Sequence, residues 1–466
     1  MKQLVASILL MAVIFTGCSK SDPPLPAIKL GFESAAQGFG DVEEVTVKVV
    51  IDRANDADIN FDIDVTPSEV NYNEHFTTTP AVADGKINVT IPAGSTETSV
   101  VVKKADDQFF RGTEFIDFTV KSISSSVVAG ANPTLKLSFG AIVSTGTSMR
   151  LNGGTGGSSA INSVFVDFSN NKQTSVLRAS WHLAFYSGDT YNVLLNDTKP
   201  LTAVAVNATD IQNFKFADFT YADSLALGFG SGTFEVVDSY LHDFSKTVIK
   251  PVAENTAENK IYVIADAGSA GATPTADQLY KVKINRSAKG YTVQYAKINE
   301  TTINTIEVEK NSQYNYQFLS FADKKVTPVE PQKSKWDIEW TYGLYYTNFM
   351  GTDIPYAFSD LVYTNHKAGV KIAEVLNTTV TYESYNASHI AATNFSSDRT
   401  HIASKWRVTS PSGTDQVGVR KDRFYVVQDA DGNVYKLLFV NFHSTAVDGG
   451  ERGYPNIKYE LVKQAD

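Results

Sequence analysis

Apolar and polar residues alternate in short runs through the first third of the chain. The clearest runs are residues 45–51, 61–65 and 87–91, in which every second residue is apolar. Such alternation predicts strands that bury one face, and the Pro-Ala-Gly-Ser stretch at 92–95 is typical of a turn. Similar runs follow at 100–102, 115–120 and 135–139. We therefore predict a β-sandwich over residues 28–140.

One aromatic pattern occurs twice in the remaining chain. The matching segments are 181–185 with 336–340, 260–266 with 423–429, and 279–282 with 434–437. Each copy opens on a tryptophan, Trp181 in the first and Trp336 in the second. Because the matches keep their order over so long a period, they indicate a duplicated domain rather than a solenoid. We predict two β units, 161–305 and 312–466, packed side by side; chance similarity among aromatic-rich hairpins is the alternative.

The composition favours an all-β fold throughout. The chain has 27 Phe and 22 Tyr among its 466 residues, and aromatic side chains suit pleated surfaces. A Gly/Ser-rich stretch at 141–160 separates the predicted sandwich from the duplicated units. It contains no Gly-Lys-Ser/Thr sequence and opens no helical pattern, which argues against a phosphate-binding loop, so we interpret it as a linker.

The N-terminus has the pattern of a secretion signal. Lys2 supplies a positive charge, residues 4–15 form an apolar run too short for an ordinary membrane-spanning helix, and Gly17 and Cys18 follow. This start resembles a bacterial lipoprotein signal, which implies removal of residues 1–17 and a diacylglycerol on the Cys18 thiol. A plain signal peptide with an incidental cysteine is the alternative. Residues 18–27, which include three prolines, are then an extended tether.

A lipidated Cys18 would hold the protein to a bilayer without a transmembrane helix. Ser19 beside it resembles the sorting signal of Gram-negative lipoproteins for the outer membrane, so we expect a lipid-anchored outer-membrane protein at the cell surface. Cys18 is also the only cysteine, which excludes an intramolecular disulfide. The formal charge of −10 is spread along the chain and argues against nucleic acid as a partner.

Part of the predicted sandwich resembles the Calx-β family. After a strand, a Gly turn and a second strand, the sequence has the Asp106-Asp107 pair and then Glu114. The resemblance implies that these three carboxylates are calcium ligands, as in the calcium-binding members. However, His75 stands where the family has an Asp, and calcium requires about six to eight oxygen ligands. A solvated acidic loop on a structural sandwich is the alternative.

The second predicted unit is similar to the HmuY family. The resemblance rests on the Trp336 strand and on residues 423–442, Arg-Phe-Tyr-Val-Val-Gln-Asp-Ala-Asp-Gly-Asn-Val-Tyr-Lys-Leu-Leu-Phe-Val-Asn-Phe. It covers the second unit well and the first more loosely. The family consists of haem-binding surface lipoproteins of Bacteroidetes with an all-β fold. The resemblance therefore implies capture of haem at the cell surface and delivery to an outer-membrane receptor.

The iron ligands of that family carry over only in part. One axial histidine follows a tryptophan strand that corresponds to Trp406, but Pro411 stands at its position here. The other axial ligand comes from an earlier loop, where the candidates are His389 and His401; surface histidines without a ligand role are the alternative. Neighbouring side chains are expected either to line a haem slot or to pack in the core: Tyr345, Tyr346, Phe349, Met350, Tyr356 and Tyr363.

No catalytic motif is present, since the sequence lacks Gly-x-Ser-x-Gly, His-Glu-x-x-His and paired cysteines. We therefore predict a non-enzymatic ligand-binding protein, with haem as the leading ligand. The alternative from another class is a structural or adhesive surface module, or a glycan binder that uses exposed Trp and Tyr.

Overall fold

The computed structural model describes residues 26–39, 42–105, 114–121, 127–139, 146–411, 413, 415–445 and 447–465. The chain divides into two compact units, with the boundary between Ala141 and Ile142. No helix in the described ranges is long and apolar enough to cross a membrane. Both units are built from β-strands, as the composition predicted.

The N-terminal unit is a sandwich of two five-stranded sheets, which confirms the predicted fold. Its strands are β1 (Ile28–Phe32), β2 (Ala36–Gly38), β3 (Glu44–Ile51), β4 (Ile59–Ser68), β5 (Phe76–Thr79), β6 (Lys86–Ile91), β7 (Glu97–Lys104), β8 (Phe115–Lys121), β9 (Val127–Ala129) and β10 (Thr134–Ser138). The strand orders are β5-β7-β3-β1-β9 and β2-β10-β8-β4-β6. Val47, Ile63 and Ile87 are fully buried, as their alternation with polar residues predicted.

The C-terminal unit contains two four-stranded and two five-stranded sheets and one small two-stranded sheet. Its strands are β11 (Gly146–Arg150), β12 (Asn162–Asp167), β13 (Lys172–Leu177), β14 (Leu183–Tyr186), β15 (Val193–Leu195), β16 (Thr202–Val206), β17 (Ile261–Ala265), β18 (Leu279–Arg286), β19 (Gly290–Lys297), β20 (Asn304–Glu309), β21 (Tyr316–Ser320), β22 (Lys325–Thr327), β23 (Ile338–Phe349), β24 (Thr352–Thr364), β25 (Lys371–Leu376), β26 (Arg407–Val408), β27 (Gly418–Val419), β28 (Arg423–Gln428), β29 (Val434–Asn441) and β30 (Asn456–Lys463). Short 3₁₀ helices lie in the connections at Gly157–Ser159, Arg178–Ser180, Phe216–Asp218, Ala222–Leu225, Phe244–Lys246, Ala276–Gln278, His366–Ala368 and Ala387–Ala392.

The two four-stranded sheets each combine hairpins from both predicted units. In one sheet the β12–β13 hairpin joins the β23–β24 hairpin, and β12 pairs with β23. In the other the β14–β15 hairpin joins the β21–β22 hairpin, and β14 pairs with β21. The registers correspond, because Phe165 lies opposite Glu339 in the first contact and Phe318 lies opposite Ala184 in the second. The two contacts are therefore copies of each other.

The two five-stranded sheets also exchange one strand each. The sheet β16-β17-β18-β19-β20 takes β20 from the start of the second copy. The sheet β11-β30-β29-β28-β25 takes β11 from the start of the first copy. We call residues 146–297 the first repeat and residues 304–463 the second repeat. Each repeat completes the large sheet of the other.

This exchange corrects the predicted side-by-side packing of units 161–305 and 312–466. Hairpins of both units share the four-stranded sheets, and residues 142–466 form one compact unit. The physical reason is that a two-stranded hairpin is only marginally stable alone and leaves backbone groups unpaired along its edges. Pairing with the other repeat satisfies the inner edge of each hairpin.

The two marker tryptophans have equivalent surroundings. Trp181 packs edge-on against Phe318 with ring centroids 4.9 Å apart, and Trp336 packs edge-on against Phe165 at 5.1 Å. In each pair the tryptophan belongs to one repeat and the phenylalanine to the other. All four rings lie in one buried cluster, so the repeats share a core as well as sheets.

An asparagine fixes the backbone at each tryptophan. The amide of Asn196 donates to the carbonyl oxygen of Trp181, and the amide of Asn365 donates to that of Trp336, both at 2.8 Å. Asn196 and Asn365 therefore hold equivalent positions in the two repeats. Asn348 lies near the tip of the β23–β24 hairpin, which is much longer than its counterpart β14–β15. We call residues 341–361, the part of this hairpin that the first repeat lacks, the aromatic arm.

Candidate functional site

A cavity of about 50 Å³ lies between the two four-stranded sheets. Its apolar walls are the two tryptophan–phenylalanine pairs, so both repeats contribute equally. Its polar wall contains several titratable side chains: Asp197, His242, Glu330, Glu339, His366 and Arg399. Such a concentration of ionisable groups inside a core is uncommon and marks this cavity as a candidate site.

Asp197 is the centre of a buried ion cluster. Its carboxylate lies 2.8 Å from Nη2 of Arg399 and 3.1 Å from Nε2 of His242. Burial opposes ionisation of Asp197, but Arg399 and His242 outweigh it and hold its pKa well below the usual range. Arg399 also stacks on the ring of Tyr363, with 3.6 Å from its guanidinium carbon to the ring centre. The cluster links the loop after β15 to the segment after β25.

The pKa values of the two glutamates in the wall are raised, whereas that of Asp197 is lowered. Burial raises the pKa of Glu330 to about 8, although the backbone N–H of Tyr316 donates to its carboxylate at 2.7 Å. Burial, and then the charge of Asp197, raise the pKa of Glu339 to about 7. Both carboxyl groups therefore hold a proton over much of the range near neutral pH.

The two histidines of the wall are neutral. Burial, and then the charge of Arg399, lower the pKa of His242 to about 4. Burial and the neighbouring His242 hold the pKa of His366 far below its usual value. The two imidazole rings lie 6.2 Å apart between centroids. The cavity is thus lined by two carboxyl groups with raised pKa values, two neutral imidazoles, the Asp197–Arg399 ion pair and Lys367.

The size of this cavity limits what it can bind. An engineered cavity that holds benzene measures about 150 Å³, roughly three times as much. A porphyrin is far larger than benzene and does not fit. A haem site in this protein must therefore lie elsewhere.

His389, one predicted axial ligand, lies in the 3₁₀ helix Ala387–Ala392 and stacks on Tyr385 at 5.3 Å between ring centroids. The backbone N–H of Asn386 donates to Nδ1 of His389 at 3.2 Å, and the carbonyl oxygen of Asn386 lies 3.3 Å from the same Nδ1. With Nδ1 as the acceptor, the proton of a neutral ring is on Nε2; the other tautomer, in which Nδ1 donates to that carbonyl, leaves the lone pair of Nε2 for a metal. The donor chemistry of His389 fits haem iron in this second tautomer.

His401, the other predicted ligand, is half-buried beside the base of the aromatic arm. Burial, and then the charge of Lys405, lower its pKa, which keeps the imidazole neutral as a ligand requires. Two residues on, Ala403 exchanges backbone hydrogen bonds of 3.0 and 3.1 Å with Val362 of β24. Neither His401 nor His389 lines the 50 Å³ cavity.

Pro411 stands at the position of the other axial histidine of the resemblance. Pro411 is exposed and has no side-chain donor. Trp406, which marks the preceding strand, is buried and stacks on Phe439 with ring centroids 4.3 Å apart. An axial ligand on this side of the unit must come from another residue.

Five of the six predicted slot residues lie together on the aromatic arm. The arm packs on a loop of the first repeat: Phe349 contacts Phe229 at 5.0 Å, and Tyr346 stacks on Tyr240 at 5.3 Å. Phe229 is 66% exposed and Met350, at the tip, is 91% exposed. The sixth residue, Tyr363, is fully buried instead. The result is a half-buried group of aromatic rings beside the exposed Phe229 and Met350, rather than a closed slot.

The structure describes only one of the three predicted calcium ligands, Glu114. Asp106 and Asp107 lie outside the described residues, so their role stays a prediction. Glu114 is buried at the start of β8. Within the part of the chain that the structure describes, no group of three or more His, Cys, Asp or Glu side chains is arranged to hold a metal ion.

Sequence reasoning did not find the cluster of Asp197, His242 and Arg399. These residues are far apart in the chain and form no motif, so only the folded structure brings them together. The one available signal was the duplication itself, because residues at the junction of two copies face both.

Comparison with known proteins gives one family. The family model described as HmuY protein matches residues 159–459, which include nearly all of both repeats. No curated protein matches the chain. Among solved structures, the apo form of the Calx CBD1 domain matches with 16% identity and a TM-score of 0.22, over 24% of this chain and 96% of that one. CBD12 from CALX1.2 matches with 13% identity and a TM-score of 0.21, over 40% and 67% of the two chains. Since the family model spans well over half of the sequence, the chain belongs to the HmuY protein family.

Proposed function

We propose that this protein is a non-enzymatic, lipid-anchored surface protein that captures haem and passes it to an outer-membrane receptor. The observation that carries the proposal is the match of the HmuY model across both repeats. The lipoprotein-like start at Cys18 supports the anchor and the outer-membrane location. These parts of the proposal rest on sequence, because Cys18 lies outside the described residues.

His389 and His401 are the proposed axial ligands. Haem supplies an iron that takes up to two axial protein donors and a flat apolar ring that needs cover from water. His389 offers Nε2 in the tautomer in which its Nδ1 donates to the carbonyl of Asn386 instead of accepting the Asn386 N–H. His401 offers a neutral imidazole on a segment that is hydrogen-bonded to Val362, the residue that follows the aromatic arm.

The aromatic arm is the proposed cover for the ring. Its base is linked through Tyr240 to the segment that precedes His401, since Arg399 donates to the carbonyl of Tyr240 at 2.8 Å and Tyr240 stacks on Tyr346. A flat macrocycle gains dispersion and apolar burial against such a surface. The exposure of Met350 and Phe229 supports this role, because large apolar side chains are rarely left so open without a partner.

Haemin titration of the purified protein tests the proposal. We expect a Soret band that shifts and saturates at micromolar haemin, and that weakens at least tenfold in His389→Ala plus His401→Ala. His75→Ala, a histidine of the N-terminal unit, is the matched control and should bind as the parent does. The absence of any spectral shift at micromolar haemin would exclude haem capture. Unchanged binding in the double variant would reject these two ligands alone.

A glycan-binding or adhesive role is the second candidate, and the exposed ring of Phe229 beside the arm favours it. It does not rest on tryptophan, because all four tryptophans are buried. Phe229→Ala plus Met350→Ala separates the two candidates. Loss of binding on a glycan array, in protein that shows no Soret shift, supports the second one.

A further inference from the structure

The turn that carries His401, residues 398–401, is closed by its own hydrogen bonds. The backbone N–H of His401 donates to the carbonyl oxygen of Asp398 at 3.2 Å. The N–H and the hydroxyl of Thr400 donate to the Asp398 carboxylate at 2.8 and 3.0 Å. These local bonds fix the shape of the turn, but they do not attach it to the rest of the protein.

Arg399, the second residue of this turn, attaches it to the core. Its carbonyl oxygen accepts the backbone N–H of Thr364, the last residue of β24, at 2.8 Å. Its side chain is 5% exposed and extends to the first repeat. There it lies 2.8 Å from the carboxylate of Asp197 and donates to the carbonyl oxygen of Tyr240, also at 2.8 Å. Residues of the first repeat therefore determine where this turn of the second repeat lies.

The charges on the cavity wall show why Asp197 is needed. Burial lowers the pKa of Lys367, the second cation of the wall; the charge of Asp243 opposes this shift and that of Arg399 adds to it. Two cations that repel each other would not both remain in place without the carboxylate of Asp197. A buried ion pair often stabilises a fold no more than packed apolar side chains do, so stability alone does not account for this one. A guanidinium held by two acceptors does fix a position and an orientation.

We propose that Arg399 is a positioning residue for haem binding, which holds the His401 turn through Asp197 and Tyr240 where the imidazole can bind the iron. The proposal rests on the proposed function, in which His401 is an axial ligand. Side chains that orient a metal ligand commonly change metal affinity by about 10–100-fold when they are replaced. The first repeat carries neither proposed ligand, yet it supplies both acceptors for Arg399 and so contributes to haem affinity.

A double-mutant cycle on haemin affinity tests whether Arg399 acts through His401. Arg399→Met should weaken haemin binding about tenfold in the parent. It should weaken binding by less than about twofold in the His401→Ala background, where no ligand remains to be positioned. Equal losses in the two backgrounds, or no loss in either, would overturn this proposal alone. A parent protein without a Soret shift overturns the proposed function, and this proposal with it.

The Arg399→Met variant keeps a partner for Asp197. Burial, and then the charge of Arg399, lower the pKa of His242, so this histidine can take up a proton once the guanidinium is gone. If the variant nevertheless does not fold, Arg399→Lys replaces it in the cycle. Lysine keeps the positive charge but lacks the two-armed guanidinium, so the same pattern is expected with a smaller loss.

The pKa of His401 gives a second measurement that needs no haem. In the folded parent, burial, and then the charge of Lys405, lower this pKa, whereas Asp398 and Glu374 oppose the shift. If Arg399 holds the turn, the imidazole leaves its half-buried position in Arg399→Met, and its pKa rises towards the ordinary value of about 6.5. NMR titration of the histidine ring protons measures the change. An unchanged pKa would overturn the proposal, because the turn then keeps its place without the guanidinium.

Arg286→Met is the matched control. Arg286 donates to the carbonyl oxygen of Val252 at 2.7 Å and stacks on Tyr191 at 4.2 Å, so it makes the same kinds of contact as Arg399, within the first repeat. This variant should bind haemin as the parent does and leave the pKa of His401 unchanged. A loss of affinity equal to that of Arg399→Met would overturn the specific role of Arg399.

Discussion

The two repeats have the same backbone frame but opposite ways of handling a buried acid. His182 in the first repeat and Asp337 in the second hold equivalent positions, one residue after the marker tryptophan. Nδ1 of His182 accepts the backbone N–H of Phe321 at 3.1 Å, and a carboxylate oxygen of Asp337 accepts that of Phe168 at 2.8 Å. In each case the donor belongs to the other repeat. The hydrogen bond is therefore kept although the acceptor differs in chemistry.

The surroundings of the two positions differ in charge. In the first repeat, Asp266 lies 3.6 Å from Nε2 of His182 and 2.6 Å from Nζ of Lys199. Burial opposes ionisation of Asp266, but hydrogen bonds from these two side chains lower its pKa to about 2.

In the second repeat, burial and then the charge of Asp167 raise the pKa of Asp337 well above its usual value, with smaller contributions from Asp429 and Asp431. In the first repeat Lys199 compensates the charge of Asp266, and in the second repeat Asp337 is neutralised by a bound proton. The comparison teaches that backbone pairing, rather than side-chain charge, defines the shared frame.

Truncation of the marker tryptophans is expected to have the largest effect on stability, and it tests whether the two repeats share one frame. Trp181→Ala and Trp336→Ala should each lower the free energy of unfolding by about 3–5 kcal/mol, because each deletes a buried aromatic ring. The two losses should be similar. Denaturant unfolding followed by fluorescence measures them, since all four tryptophans lie in the C-terminal unit and three remain in each variant.

The control for this experiment is Phe229→Ala, which alters an exposed ring and should change stability by less than about 0.5 kcal/mol. A fluorescence transition in two separate steps, with one repeat unfolding while the other persists, would contradict the exchange of strands.

The second-largest loss of stability is expected when the cation beside Asp266 is removed, which makes the first repeat resemble the second. Lys199→Met removes the cation beside Asp266 and should lower stability at pH 7 by about 1–2 kcal/mol, a value discounted because the lysine is partly exposed. The folded-state pKa of Asp266 is about 2, below the unfolded value of about 3.9. Its stabilising contribution is therefore present above pH 4 and is lost as the pH falls towards 2. Unfolding curves at pH 7 and pH 2.5 should show the variant and the parent converging at the lower pH.

Lys246→Met is the matched control, because the Lys246–Asp243 pair is 3.9 Å apart and solvent-exposed. It should have almost no effect at either pH. Equal losses in the two variants would show that the pair with Asp266 has no special role.

The smallest change in stability is expected when Asp337, which binds a proton in the second repeat, is replaced by a group that does not ionise. Asp337→Asn keeps an oxygen for the Phe168 N–H without an ionisable group. Because the pKa of Asp337 is raised by folding, the folded parent binds a proton that the unfolded chain releases above about pH 4. Stability of the parent therefore falls as the pH rises, and the variant should gain about 1 kcal/mol relative to it at pH 8. Urea unfolding between pH 4 and pH 8 measures this slope, and a constant difference across that range would refute the assignment. Asp189→Asn, an exposed site, serves as control.

The strands of this protein were largely predictable, because burial of one face leaves a period of two in the sequence. The alternation at 45–51 and 87–91 identified β3 and β6, and the aromatic segments identified the duplication. The exchange of β11 and β20 was not predictable. A strand that pairs with the other repeat has the same pattern of buried faces as one that pairs with its own, so periodicity carries no information on the partner.

The candidate sites were also only partly predictable from the sequence. His389 and His401 were found because a resemblance indicated their loop, and their role stays a prediction. The cavity was not found, because its polar wall is assembled from residues whose only common property is their position between two copies. The equivalence of Asn365 and Asn196 was also not predictable. The aromatic arm adds residues between Trp336 and Asn365, so the two asparagines lie at different sequence distances from their tryptophans.

The exchanged first strands have an evolutionary consequence. A chain with one copy of the repeat would donate its leading strand to a neighbour and leave its own large sheet one strand short. Two such chains would complete each other around a twofold axis, as in a domain-swapped homodimer. In this chain the short connection at 298–303 joins the two repeats covalently, so both large sheets are completed within one polypeptide.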